Sequence, residues 1–462
     1  MTYEESVRYL LTLGRELASP QQARVTKFDL ANITTLCERL GQPQRAFQPV
    51  HIAGTNGKGS TAAMLDSILR AAGLRAGLYT SPHLERINER IRLDGHEISD
   101  ADFAAVFTRL HRVIEELLAA GRLAAHPTFF ECITAMAFDF FARAHAEFAV
   151  CEVGMGGRLD ATNVLVPEVA VITQIDFDHE NFLGHSIEEI AAEKAGIIKS
   201  GARVVSAAEH LVARAVIRRR VAEQSAFLVE IENAFRLEDI TSHDGCYAFT
   251  AISTDSDAHI HLILPLPGRF QIRNALTALA AARMLAERGA PIDDDAMARG
   301  IAATQWPGRL EHIAGAPEIY LDGAHNPAGA REIAVFWETH LRGRNIYLIY
   351  GALRDKAVDE IAGLLFPRAS VVILTSPAQP RALSAPVLAE MTGHHAQRVE
   401  VVPSPILAFE RALELASPCD VIFVTGSLYL VGDLRRYWMA RTATHAGASP
   451  GDAQVKPSPR SS

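Results

Sequence analysis

PVHIAGTNGKGSTAAMLDSILRAA, residues 49–72, is the stretch on which the reading of this chain turns. It opens on a short apolar run at 49–53, closes on a helical-period stretch at 60–72, and places GTNGKGS between them. Strand, glycine-rich loop and helix, in that order, bring backbone N–H groups, a helix N-terminus and a lysine together around phosphate. Gly54, Gly57 and Gly59 let the backbone approach phosphate oxygens, and Thr55 and Asn56 complete the loop. Lys58 reaches the terminal phosphates and Ser60 offers a hydroxyl to Mg²⁺. The spacing departs from the common GxxxxGK[ST] form, because Ile52 stands at the first glycine position and Gly59 precedes Ser60. A plain glycine-rich turn is the competing reading. The lysine and the strand–helix setting favour ATP.

Outward from this loop, β-rich apolar runs alternate with amphipathic stretches. The runs 148–153, 169–175, 203–207, 319–322, 346–350, 371–375 and 421–425 read as strands buried on both faces. The stretches 60–72, 129–144, 186–195 and 328–341 read as helices between them. Such alternation predicts an α/β fold with parallel sheets. Residues 226–264, with short alternating runs of His, Asp, Ser and Thr, predict a small antiparallel insertion. The expected division is an ATP-binding domain over 1–298, a second, smaller Rossmann-like α/β domain over 299–441, and a disordered Pro/Ser/Gly-rich tail over 442–462.

Composition sets the frame. With 462 residues, 48% of them apolar, the chain has material for more than one core. A net charge of −9 argues against general nucleic-acid or anionic-membrane binding. No apolar run reaches the roughly 20 residues that span a bilayer, and the acidic start MTYEESVRYL lacks a secretory pattern. The cysteines, 37, 132, 151, 246 and 419, are scattered and never in CxxC spacing. They read as reduced, in a cytoplasmic protein.

In open α/β sheets ligands lie beyond the carboxyl ends of the strands. Ser81 follows the strand at 75–80, Glu152 ends the run FAVCEVG, and His179 follows VAVITQI. Together with Ser60 they form a donor set for one or two Mg²⁺ ions, although imidazole is a less usual partner for that ion. Taken singly, each serine is as easily a helix cap and the histidine a packing group. Glu152 is harder to dismiss, since it interrupts a buried apolar strand. Lys194, near the end of SIEEIAAEKAGIIKSG, reads on spacing alone as a solvated or salt-bridged lysine.

Eight segments in order resemble one family: HIAGTNGKGS, TSPHLERINERIRLDG, FFECITAMAFDFF, CEVGMGGRLDATN, DHENFLGHSIEEIAAEKAGIIK, PGRLE, LDGAHNP and VTGSLYLVGD. The resemblance is to the folylpolyglutamate synthase / dihydrofolate synthase family, of the wider Mur-ligase group, and spans about residues 24–437. It implies a P-loop-containing Mur-ligase-like central domain, with MgATP held between that and the second domain. It implies ATP contacts from residues 54–60 and from Asn274, Arg309, Asp322 and His325. It implies Mg²⁺ at two sites, held by Ser60, Ser81, Glu152, His179 and a carbamylated Lys194, and it allows K⁺ as a further cation. Lys58, Glu152, His179 and Lys194 become the expected catalytic residues. Asp160 and Thr128, Phe129, Phe130 and Glu131 fall where the family contacts the pterin, and Ser427 where it receives glutamate. The segment 28–41, with Asp29, matches the family's substrate block only loosely. Without the resemblance, Asp322-Gly323 is a turn after a strand and Arg309 a surface arginine.

The expected reaction joins L-glutamate to dihydropteroate or to a reduced folate through an acyl phosphate, in a monomer. A bifunctional enzyme is the expectation, with folate tail extension alone as the alternative. A peptidoglycan Mur ligase is the next reading, but it places a full domain ahead of its loop, and here the loop begins at residue 54. A nucleotide switch protein explains the loop but not Glu152, His179, Lys194 and LDGAHNP together.

Overall fold

The computed structural model describes residues 1–13, 29–123 and 125–446. Eight strands form the large sheet: β1 (Gln48–Ala53), β2 (Ala76–Tyr79), β3 (Ile91–Leu93), β4 (His96–Glu97), β5 (Phe148–Glu152), β6 (Val169–Ile172), β7 (Arg203–Ser206) and β8 (Phe227–Glu230). Their order is β4-β3-β2-β5-β1-β6-β7-β8, parallel from β2 to β8 and antiparallel at the β3 and β4 edge. β1 lies at the centre, between β5 and β6, where the direction of strand addition reverses. That reversal opens a crevice at the carboxyl ends of the strands. The phosphate loop leaves β1 into this crevice.

Helices cover both faces, which is why the buried positions of the central strands β1, β5 and β6 are apolar except at His51 and Glu152. Lys58–Ala71 and Phe270–Ala286 pack on one face with Val50, Ile52, Val150 and Val171. Asp100–Ala119 and Phe129–Arg143 pack on the other with Ala149 and Cys151, and Ile187–Ala195 and Leu211–Glu223 extend that layer over Ala170 and Val204. Of the two exceptions, Glu152 stands at the carboxyl end of its strand and His51 in the middle of its own.

β9 (Phe235–His243), β10 (Cys246–Ser253) and β11 (His259–Leu264) make a separate antiparallel sheet. The antiparallel insertion therefore begins later than residue 226. The apolar run 227–230 belongs to the large parallel sheet, where it pairs with β7.

The second sheet holds β12 (Glu311–Ile313), β13 (Glu318–Leu321), β14 (Ile346–Tyr350), β15 (Val371–Leu374), β16 (Val399–Val401) and β17 (Val421–Thr425). Its order is β12-β13-β17-β14-β15-β16, parallel except at β12. Helix Asp294–Ala302 runs across residues 298 and 299 and packs on Lys58–Ala71, with a Cβ at Gly300 lying only 2.4 Å from the Ile68 Cα. We therefore propose that the domain division falls in the link 303–310. Helix Leu428–Ala446 continues beyond residue 442. The rest of the expected tail, 447–462, lies outside the described residues.

Candidate active site

The helix after β1 starts at Lys58, because Gly57 takes φ +85° and turns the chain into it. A side chain at Gly57 is excluded twice, since a Cβ there lies 2.3 Å from the Asn274 Oδ1. A Cβ at Gly54 lies 1.8 Å from the Thr173 Oγ1. The loop is thus bare backbone clasped between β6 and the helix Phe270–Ala286. Asn274 also donates to Gln271 Oε1 at 2.8 Å, and Gln271 Nε2 donates to the Ser60 hydroxyl at 3.3 Å.

The loop opens on a cavity of about 680 Å³. Residues 54–60, Ser81, Glu152, His179 and Lys194 line it from the first sheet, with Asn274 from its covering helix. Arg309, Asp322 and His325 line it from the second. Residues more than 260 positions apart in sequence thus share one chamber.

Glu152 is 4% exposed and accepts the Ser81 N–H at 3.2 Å. Burial raises its carboxyl above the usual range, opposed chiefly by the charge of Lys58. Lys58 itself donates to the Thr55 carbonyl at 3.1 Å. Lys194 is also 4% exposed, and it donates to the Gly54 carbonyl at 2.7 Å. Burial, aided by the charge of Lys58, lowers its ammonium to about 7. The solvated or salt-bridged lysine suggested by spacing alone is therefore replaced by a buried amine poised between charged and neutral. His179 stands at φ +52°, ahead of the short helix Glu180–Leu183, and burial, then the Lys356 charge, lowers its imidazole.

From the second sheet, Asp322 accepts the N–H groups of Leu310 at 2.8 Å and Ala324 at 2.8 Å. Those bonds fix the turn after β13 and place Arg309 and His325 on the cavity. His325 Nδ1 lies 2.9 Å from the Gly323 carbonyl and donates to it, leaving Nε2 to face Asp178. Arg309 is half-buried in the cavity wall rather than a surface arginine.

Other expected residues lie outside the chamber. Thr128 and Glu131 form a reciprocal cap on Phe129–Arg143, and Phe129 is core. Phe130 faces the wall loop, against Gly154. Asp160 is buried, with Met155, Thr162 and the Thr162 hydroxyl donating to it. Ser427 is buried beside the cavity residue Leu428, and Asp29 is exposed and accepts the Ala31 N–H.

Sequence reasoning gave no role to Asp178, Gln271, Asn326 or Lys356. Asp178 pairs with Lys356 at 2.8 Å across the cleft, and Asn56 and Asn326 exchange amide contacts at 2.9 and 3.4 Å. Burial alone raises the Asp178 carboxyl, yet the His325 imidazole 3.7 Å away and the Lys356 charge hold it well below the usual range. Gln271 carried a usable signal, because it lies one helical turn before Asn274. Lys356 carried none.

Comparison with known proteins agrees with this geometry. The Mur ligase middle domain family matches residues 52–282, and the Mur ligase glutamate ligase domain family matches residues 308–428. The dihydrofolate synthase/folylpolyglutamate synthase of Bacillus subtilis is 34% identical over 88% of this chain and 94% of its own. The Mycobacterium tuberculosis folylpolyglutamate synthase complexed with ADP and AMPPCP superposes with a TM-score of 0.82 at 36% identity, covering 89% of this chain and 95% of that one. E. coli FolC in complex with DHPP and ADP gives a TM-score of 0.82 at 29% identity, covering 95% and 98%. The chain belongs to the folylpolyglutamate synthase / dihydrofolate synthase family, ATP-dependent ligases of the Mur ligase group.

Proposed function

We propose that this enzyme joins L-glutamate both to dihydropteroate and to the glutamate tail of reduced folates, with ATP as the activating substrate. The observation that carries this reading is a single chamber holding a phosphate loop, the buried Glu152 and a near-neutral Lys194, closed by Arg309, Asp322 and His325 of the second sheet. A nucleotide switch needs the loop but not a buried carboxylate and amine beyond it. The apolar end of the cavity, with Ile231, Phe235, Leu237 and Phe270, suits a purine base.

A carboxylate is a poor electrophile, so the γ-phosphoryl of ATP passes to it first. Lys58 and the loop amides neutralise charge on the transferring group. The glutamate amine then attacks the acyl phosphate, and the tetrahedral adduct collapses to amide and phosphate. Ser60, Ser81, Glu152 and His179 form an oxygen-rich donor set around a buried carboxylate, which fits Mg²⁺. Bound there, the ion supplies further charge neutralisation. Lys194, buried and able to be neutral, is suited to carbamylation, which turns a cation into an anion beside that set. Closure of the second sheet over the cavity keeps water from the acyl phosphate.

The chamber is built from one chain, which supports action as a monomer. No helix among the described residues is long and apolar enough to cross a membrane. Cys37, Cys132 and Cys151 are free and buried, which supports a reducing, cytoplasmic setting. Positional isotope exchange tests the chemistry. Oxygen from a labelled substrate carboxylate should appear in phosphate, and its absence would remove the acyl phosphate.

A further inference from the structure

His51 lies in the middle of β1, completely buried, three residues before the phosphate loop, and no step above uses it. Its neighbours Val50 and Ile52 are ordinary core residues, so the strand itself has no need of an imidazole. The His51 Nε2 stands 2.7 Å from the Thr162 hydroxyl, and that hydroxyl donates to Asp160 Oδ1 at 2.5 Å. A hydroxyl has one proton to give. Nε2 must therefore be the donor, and Nδ1, buried without a hydrogen-bond partner, carries no proton because burial disfavours the charged ring. The ring is neutral, and donation runs one way, from β1 through Thr162 to Asp160.

Asp160 passes this restraint to the wall of the cleft. Its Oδ1 also accepts the Thr162 N–H at 3.0 Å, and its Oδ2 accepts the Met155 N–H at 2.9 Å. Gly154, Met155 and Gly156 line the cavity. The same loop is wedged on two sides. A Cβ at Gly157 would lie 2.8 and 2.9 Å from the carbonyls of Glu193 and Lys194, and one at Gly154 would lie 2.4 Å from the Phe130 ring. A small shift of the loop therefore moves the helix end that carries Lys194.

We propose that His51 is a positioning residue which, through Thr162 and Asp160, sets the 153–160 wall and so aligns the substrate carboxylate with Glu152 and Lys194. The activity consequence rests on the ligase reading above; the restraint on the loop does not. A partner acting through a ligand-bearing element commonly changes activity by about 10–100-fold when removed.

The test uses the full chain with His51→Leu, Thr162→Val, their combination, and His51→Gln, whose amide can donate to the same hydroxyl. Amide hydrogen exchange over 153–162 should quicken in His51→Leu and Thr162→Val. Each should lose about tenfold in kcat/KM for the carboxylate substrate while ADP affinity stays within about twofold. The combination should be no worse than either alone, and His51→Gln should recover most of the loss. Unchanged exchange over 153–162, ADP affinity falling in step with kcat/KM, or glutamine no better than leucine would each overturn the proposal. If the unaltered enzyme uses neither dihydropteroate nor tetrahydrofolate, the folate reading fails while the exchange result still decides the role of His51.

Discussion

The Lys194 ammonium donates to the Gly54 carbonyl at 2.7 Å, which ties the end of helix Ile187–Ala195 to the first glycine of the phosphate loop. The amine is buried and sits near neutrality at physiological pH. The phosphate loop and the amine are thus directly coupled. A role for the neutral amine predicts an acid limb in the pH–rate profile near pH 7, with turnover rising as Lys194 loses its proton. Lys194→Arg, which stays charged, should lose about a hundredfold or more in kcat yet keep ADP binding. Steady-state rates from pH 5.5 to 9 check both, and a profile flat through pH 7 contradicts the assignment.

Glu152 is buried at a cost that folding alone does not require. Glu152→Gln keeps the shape and removes the charge. It should hold or raise Tm in calorimetry while lowering turnover by about a hundredfold or more. A variant that loses stability but keeps its rate would make Glu152 structural.

Across the cleft, Asp178 meets Lys356 and Asn56 meets Asn326. Both pairs join the two sheets beside the cavity, which Asn56 and Asp178 line. Lys356→Met should loosen closure and expose the acyl phosphate to water, so more ADP should be released per glutamate incorporated. Lys356→Arg should restore much of the coupling. An unchanged ratio with both variants contradicts a closing role.

His51 also bears on acid stability. Burial, with a smaller push from the Lys199 charge, lowers its imidazole from the ordinary 6.5 to about 3. The unfolded chain therefore takes up the proton first, and stability falls as pH drops from about 6.5 toward 3. The full effect is on the order of a few kcal/mol. His51→Leu should flatten this part of the stability–pH curve in urea titrations, and an unchanged slope contradicts it.

The α/β alternation and the loop at 51–60 were legible because apolar runs and glycine spacing are local signals. Glu152 was legible for a similar reason, as a charge in an apolar strand. Boundaries slipped where tertiary pairing decides, as at 227–230, which joins the parallel sheet because β7 presents a free edge to it. Lys194 misled on spacing, since burial at a helix end is set by the wall loop that packs on it. Lys356, Asn326 and His51 act through partners more than 100 residues away, and such pairings leave no mark in local sequence.

The most direct measurement is ADP release by the purified enzyme with ATP and Mg²⁺, supplied in turn with dihydropteroate or tetrahydrofolate, each with and without L-glutamate. The account predicts steady turnover with either pterin only when L-glutamate is present, and a product longer by one glutamate. ADP release independent of both the pterin and glutamate would contradict it.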